Sequence, residues 1–366
     1  MTRSDSPPVL RLTDPGSIAA AVPVIAGYRP TQSLVVMSLR PPRKRLGLTM
    51  RADLEACVED DGFVDYAVDA ILRDGAMAAV LVVFSEDGAV DEELPWRDLV
   101  TATADALAAG GVDVMEQLCV RRDRWFSYSC LRSCCPLEGT PLPQGTSPLE
   151  AQAVLEGKVV LPDREALAAT LVGAPPGSLV ARLRAERLTA LTEELIEEPP
   201  AAWEQRCVQV VASFRTMLAG LAPGAHPQVV PEDDVVLPVL AALVDRDLRD
   251  AVLATITDEE LPVAIELLAA LVRSSVPPWT VAPATMLAWC AWRRGGGALA
   301  NLAAELALRI DPTCRLAAQV SLAMRYAVRP GPQLGVGATG PTGGLARRRD
   351  RRDAQRRADR GQRRAG

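Results

Sequence analysis

Three cysteines that lie close together are the residues with the most evident chemical potential in this sequence. Cys130, Cys134 and Cys135 occur in the stretch CLRSCCP, directly before a proline. A thiol becomes reactive when nearby positive charge lowers its pKa, and four arginines lie between positions 121 and 132. The cluster therefore predicts a thiol switch in which Cys130 forms a disulfide with Cys134 or Cys135 under oxidation, provided that the bond geometry permits it.

The same cysteines also fit a metal site. Structural zinc takes four thiolate or imidazole ligands, commonly with two to four residues between paired cysteines. Three residues separate Cys130 from Cys134, Cys135 adds a third sulfur, and Cys119 is a candidate for the fourth ligand. Adjacent cysteines rarely both reach one tetrahedral ion, and small buried thiols at a strand end are a third interpretation. We predict no cofactor, with zinc as the alternative.

The remaining motifs exclude several classes of enzyme. The chain has no P-loop and no G-x-S-x-G motif, and its one histidine, His226, lies in a predicted loop. A nucleotide-binding loop of the P-loop type and a serine triad are therefore not expected. Arg29, in the loop of residues 27–30 before a predicted strand, is a candidate to bind an anion, and an exposed turn is the alternative.

The charge of the chain is unevenly distributed. The net charge is −6, but residues 347–366 hold ten arginines and three aspartates, so this segment carries +7 and the rest of the chain −13. The arginines of residues 347–364 predict weak, salt-dependent contact with nucleic acid or another anionic surface. Prolines interrupt the longest uncharged window, so we expect no membrane span. Eight cysteines in 366 residues are too few for a disulfide framework, which favours the cytoplasm.

The hydrophobic pattern predicts two folded regions and a tail. Residues 1–145 alternate between helix and strand signals in the order α-β-β-α-β-α-β-β, which indicates an α/β domain with a mixed sheet flanked by helices and the cysteine cluster near its end. Residues 146–330 have helical signals only. From residue 331 onward a Gly- and Pro-rich linker leads into the Arg-rich tail, and both are predicted to be disordered.

The last helical pair has the spacing of a tetratricopeptide unit. Leu287, Gly295, Ala300, Ala307 and Pro312 occupy the helix-packing and closing positions of that pattern. Its aromatic positions hold alanine instead, at residues 291 and 304. The sequence therefore predicts a tetratricopeptide-like hairpin, and an ordinary helical hairpin is the alternative.

Three separated stretches resemble one known family. IAGYRPTQSLVVMSL near the start, CCPLEGTPL in the middle and PPWTVAPATMLAWCAWRRGGGALANLAAELALRIDP near the end are similar, in this order, to the actinobacterial family called domain of unknown function 4192. The resemblance covers nearly everything up to about residue 325. It implies an intracellular actinobacterial protein without naming an activity. The positions that match the family pattern are Gly27, Pro30, Ser33, Cys130, Cys134 and Cys135.

The sequence favours binding over catalysis, because it has few candidate catalytic residues, a helical region and a charged tail. The leading hypothesis is a cytoplasmic binding or regulatory module that contacts another protein. The first alternative is a redox sensor, metal-binding sensor or enzyme that uses Cys130, Cys134 and Cys135. The second alternative is association with nucleic acid through the Arg-rich tail.

Overall fold

The computed structural model describes residues 14–87, 93–130, 136, 138–143, 148–155, 159–221 and 232–330. These residues form two compact units. The first contains the described residues up to Leu167 together with Arg325–Arg329, and the second contains the described residues of Ala168–Met324 together with Pro330.

The first unit is built on a six-stranded mixed sheet. Its spatial order is β2-β1-β3-β4-β5-β6. Only β3 and β4 are parallel, and each of the other neighbouring pairs is antiparallel. The strands are β1 (Ser33–Arg40), β2 (Arg45–Asp53), β3 (Ala78–Phe84), β4 (Asp113–Arg121), β5 (Arg124–Ser127) and β6 (Thr140–Pro141). The predicted mixed sheet is confirmed.

Helices cover both faces of this sheet. Helix α1 (Pro15–Ala26) packs on one face, and α2 (Leu54–Glu59), α3 (Phe63–Arg73) and α4 (Arg97–Ala109) share the core on the other. Strand β3 is buried along its whole length because it receives helices on both sides. The buried side chains of β1 alternate between the two cores, with Leu34 facing one and Val35 the other.

Helix α1 begins and ends where its sequence predicts. The Asp14 carboxylate accepts a hydrogen bond of 2.9 Å from the Ser17 N–H, and Pro15 occupies the first helical position. Gly27 ends the helix with a φ of 81°, a left-handed conformation that glycine adopts without steric cost.

The described residues after β6 begin with two short helices. They are α5 (Pro148–Leu155) and α6 (Arg164–Ala169). Helix α5 packs against α1, and Leu161 forms a parallel bridge with Tyr28. These contacts explain why residues 148–167 belong to the sheet-containing unit.

A buried carboxylate joins distant parts of the first unit. Asp74, with only 4% of its side chain exposed, accepts hydrogen bonds from the Ser38 hydroxyl and from the Leu48 N–H at 2.9 Å. Arg40 approaches the same oxygen at 3.5 Å, and the Arg329 Nε contacts the other oxygen at 3.0 Å. Gly47 leaves the space for this arrangement, because a Cβ atom built there overlaps the Asp74 and Ser38 side chains. The cluster stabilises residues 325–329 against the C-terminal end of α3.

The second unit is helical, as predicted. Ala291 and Ala304 occupy the positions where a tetratricopeptide unit has aromatic residues. Both are fully buried in the hairpin formed by the helices Val281–Arg293 and Gly297–Ile310. No helix among the described residues is long and apolar enough to cross a membrane. The helices of this unit are α7 (Leu179–Glu197), α8 (Pro200–Gly220), α9 (Asp233–Ala242), α10 (Arg246–Ala254), α11 (Leu261–Ser274), α12 (Val281–Arg293), α13 (Gly297–Ile310) and α14 (Arg315–Arg325).

Candidate functional site

The loop that follows β3 presents a fixed carboxylate at the carboxyl end of the central strand. The Oδ2 atom of Asp87 accepts hydrogen bonds from Gln32 Nε2 at 3.2 Å, Ser85 Oγ at 2.9 Å and Trp96 Nε1 at 2.8 Å. No described residue donates a hydrogen bond to its Oδ1 atom, and the Asp87 side chain is exposed. Among the described residues, the carboxylate is therefore held through one of its two oxygens.

Hydrogen bonding keeps this carboxylate ionised. The three donors, Gln32 first, then Ser85 and Trp96, favour the charged form and hold the pKa of Asp87 below its ordinary value. Burial opposes this effect only weakly, because the side chain faces solvent. Asp87 thus carries its negative charge over a wider pH range than an ordinary aspartate.

Two of the three donors have an unusual main-chain conformation. Gln32 has a φ of 42° and Trp96 a φ of 64°, in the left-handed region that non-glycine residues seldom adopt. The Gln32 side chain makes a second contact with the same loop, since its Oε1 accepts from the Glu86 N–H at 3.0 Å. Such conformations persist where the surrounding contacts determine them, and they are frequent at binding sites.

The arginines at the end of β4 support the same loop. Arg121 donates to the main-chain carbonyl of Asp87 at 3.0 Å and lies over the Phe126 ring at 5.6 Å. The main-chain N–H of Arg122 contacts Glu86 Oε1 at 3.3 Å. Residues 85–87 are consequently held by contacts from the residue before β1, from the end of β4 and from the start of α4.

An open groove adjoins Trp96, one of the three donors to this carboxylate. It has a volume of about 620 Å³ and is lined by Val58 of α2 and by residues 93–99. Trp96 belongs to both features, because it lines the groove while its indole N–H binds Asp87. Leu94 and Pro95 add apolar surface, and Glu93 and Asp98 add carboxylates. We call this groove, together with Asp87, the Asp87 groove.

Among the described residues that line the groove, Arg97 is the one arginine, and it is already engaged. Arg97 Nε lies 3.3 Å from the Glu93 carboxylate. The Arg97 guanidinium also donates to the Tyr128 carbonyl at 3.1 Å and lies over the Tyr128 ring at 5.7 Å. The groove therefore combines apolar and aromatic surface with carboxylates, a composition that suits a cation carrying an apolar or planar portion.

The structure describes only part of the predicted cysteine site. Cys119 is buried in the core between the sheet and helices α2–α4, where burial raises the pKa of its thiol to about 11. Cys130 is half-buried, and its N–H donates to Ser127 Oγ at 3.1 Å. Cys134 and Cys135 lie outside the described residues, as does His226.

The thiol-switch and zinc hypotheses both stay predictions. Within the described part of the chain, no group of three or more Cys, His, Asp or Glu side chains is arranged to hold a metal ion. Zinc binds thiolates, and a thiol with a raised pKa is a poor source of thiolate at neutral pH. Burial also raises the pKa of the Cys57 thiol to about 12, so Cys57 is likewise a poor source of thiolate at neutral pH.

We expect the native protein to react with iodoacetamide at Cys130 well before Cys119. Cys119 is almost wholly buried and its pKa is raised to about 11, whereas Cys130 is half-buried. Brief labelling at pH 8 followed by peptide mass spectrometry measures both sites, and labelling in urea is the control. Rapid modification of Cys119 in the folded protein would contradict the burial on which this prediction rests.

Arg29, the predicted anion-binding residue, is exposed in the loop before β1. Its main-chain N–H donates to the Leu161 carbonyl at 2.9 Å. No described residue forms an ion pair or hydrogen bond with its guanidinium. Anion binding at Arg29 stays a prediction, and so does contact with nucleic acid through residues 347–364, which lie outside the described ranges.

Sequence reasoning did not identify Asp87, Gln32 or Trp96 as site residues. One signal was available, because polar residues that directly follow a wholly apolar strand often form binding sites in α/β sheets. The segment SED after the apolar run of β3 fits this pattern.

Comparison with known proteins gives a family and no named relative. No curated protein and no solved structure shows significant similarity to the chain. The family model described as Domain of unknown function (DUF4192) matches residues 15–331 of the 366 residues. This match spans most of the sequence, and the chain belongs to that family.

Proposed function

We propose that the protein is a binding module that recognises a positively charged segment of a partner protein in the Asp87 groove. The observation that carries this proposal is the fixed Asp87 carboxylate, which has three donors on Oδ2 and none on Oδ1 among the described residues. A ligand that donates to Oδ1 meets an acceptor that is already ionised and oriented, so less entropy is lost on binding.

Arginine is the side chain that fits this groove best. A guanidinium forms a charge-assisted hydrogen bond with a carboxylate and also stacks on an aromatic face. Trp96 lies next to Asp87 and supplies that face, and Val58, with 58% of its surface exposed, can contact the aliphatic part of the side chain. Lysine provides the charge without the planar group, so we expect weaker binding of lysine-rich segments.

The proposal gives the module a regulatory role in the cytoplasm, and it requires no catalytic group. The thiol-based alternative depends on cysteines of which two lie outside the described residues. The nucleic-acid alternative depends on the tail alone. The Asp87 groove, in contrast, is formed by described residues of the first unit.

A titration with octa-arginine tests the proposal. The protein is a full-length variant, called here the tail-neutralised chain, in which asparagine replaces Asp350, Asp353 and Asp359 and glutamine replaces the ten arginines at positions 347–349, 351, 352, 356, 357, 360, 363 and 364. This change prevents the charges of the tail from competing with the probe. Two-dimensional NMR follows the six tryptophan indole N–H signals, and a Trp96→Phe variant assigns the signal of Trp96.

We expect the Trp96 indole signal to shift in a saturable manner, because its N–H is bonded to the carboxylate that receives the peptide. The Trp125 indole is a useful reference, since it lies against α1 on the opposite face of the sheet. Octa-lysine should produce the same shift only at higher concentration. Saturable binding of octa-arginine that leaves the Trp96 signal unchanged would contradict the proposal that the peptide binds in the Asp87 groove.

A further inference from the structure

The helices that surround the Asp87 groove carry a large excess of negative charge. The segments 54–73 and 93–109 contain nine carboxylates, all on exposed residues, and two arginines, a net charge of −7. Arg73 pairs with Asp69 at 2.9 Å and Arg97 with Glu93 at 3.3 Å, so both arginines are already engaged. The nine acidic residues are Glu55, Glu59, Asp60, Asp61, Asp65, Asp69, Glu93, Asp98 and Asp105.

The last residues before the tail lie against the same helical layer. Arg329 bonds to Asp74 at the C-terminal end of α3, and the Arg73 guanidinium lies 5.8 Å from the centre of the Tyr326 ring. Burial raises the pKa of Tyr66, and the nearby charges of Arg325 and Arg73 oppose this effect. Residues 325–329 therefore run along the exposed side of α3, and the chain continues towards the tail from this position.

The Arg-rich tail can reach the groove from this point. Sixteen residues, 331–346, separate the last described residue from Arg347. Fully extended, such a segment spans about 55 Å. Helix α3 has 11 residues and a length of about 16 Å, and Val58 of the groove precedes its first residue by only five positions. Residues 331–346 are thus long enough to bring Arg347 to the groove even when they span only a fraction of their extended length.

The chemistry of the tail matches that of the groove. Residues 347–366 carry a net charge of +7 from ten arginines and three aspartates, without any lysine. Guanidinium groups suit both the free oxygen of Asp87 and the face of Trp96. The exposed apolar residue Val58 and the half-buried Leu94 give the groove a surface that the aliphatic parts of arginine can cover.

From these observations we infer that the Arg-rich tail, residues 347–366, binds in the Asp87 groove of its own chain. The inference rests on the proposed function, because it assigns an occupant to the same groove. The tail then acts as an internal competitor, and a partner segment gains access only by displacing it. Because the contact is largely electrostatic, salt weakens it.

The test compares the native chain with the tail-neutralised chain by the Trp96 indole signal. We expect the signal of the native chain to lie near the position that octa-arginine produces in the tail-neutralised chain. A synthetic peptide of residues 347–366 should move the signal of the tail-neutralised chain to the same position. Raising the salt concentration should bring the native signal back towards that of the tail-neutralised chain.

The outcomes separate failure of this inference from failure of the proposed function. If octa-arginine does not shift Trp96 in the tail-neutralised chain, the proposed function itself is wrong. If octa-arginine shifts it while the native and tail-neutralised chains have identical Trp96 signals, only the tail inference is wrong. A native signal that changes on dilution would assign the groove to the tail of a second copy and overturn the intramolecular contact.

Discussion

Replacement of Asp74 by alanine should destabilise the first unit by about 1–3 kcal/mol, the cost of leaving a buried hydrogen-bonding group without its partner. The Asp74 side chain is 4% exposed and accepts from Ser38, the Leu48 N–H and Arg329. Alanine leaves the buried Ser38 hydroxyl and the partly buried Leu48 N–H without their acceptor, and it leaves Arg40 and Arg329 without the nearby charge. Urea denaturation measures the loss as a lower midpoint.

Asp69→Ala is the matched control for this variant. Asp69 lies on the same helix and pairs with Arg73, but 64% of its side chain is exposed. Exposed pairs of this kind contribute only about 0.3–0.5 kcal/mol, so we expect a nearly unchanged midpoint. Equal effects of the two substitutions would show that the Asp74 cluster contributes no more than a surface pair.

The pH dependence of stability gives the same cluster a second signature. Burial alone would raise the pKa of Asp74, but hydrogen bonds from Ser38 and the Leu48 N–H, with the charges of Arg40 and Arg329, outweigh it and lower this pKa below 3.8. A lowered folded-state pKa stabilises the protein above the unfolded-state pKa, and the contribution disappears as the pH falls through the folded value. The difference between native protein and Asp74→Ala should therefore shrink below about pH 4.

Local sequence signals predicted the elements of the first unit well. The apolar run of β3 indicated a strand covered on both faces, and the structure buries all of it. Asp14, Pro15 and Gly27 marked the ends of α1 correctly, because capping depends on residues within one turn. Helix α2 was not predicted because six residues are too few to establish a helical period. Strand β6 was not predicted because two residues are too few to show the alternation of a strand.

The contacts that build the sites could not be predicted in this way. Gln32 and Asp87 are 55 positions apart, and Asp74 and Arg329 are 255 positions apart. Each pair meets only because the strand order places β1 beside β3 and because residues 325–329 lie against α3. The cysteine cluster, in contrast, was conspicuous in the sequence because its members are neighbours along the chain.

The second large effect concerns the affinity of the Asp87 groove. We expect Asp87→Asn in the tail-neutralised chain to weaken binding of octa-arginine about tenfold, since a hydrogen bond to a charged group contributes about 1.5–3 kcal/mol. Asparagine has the same shape and retains one oxygen acceptor, but it loses the charge that the Gln32, Ser85 and Trp96 donors hold in place.

Measuring this affinity beside that of a charge-matched control tests most directly whether the Asp87 groove is the binding site. Asp105→Asn removes one charge from an exposed position on α4 outside the groove, so general attraction falls equally in both variants. Fluorescence anisotropy with labelled octa-arginine gives both dissociation constants. We expect a tenfold loss of affinity for Asp87→Asn and less than a twofold loss for Asp105→Asn. Equal losses would mean that the peptide responds only to net charge, and the Asp87 groove would not be the binding site.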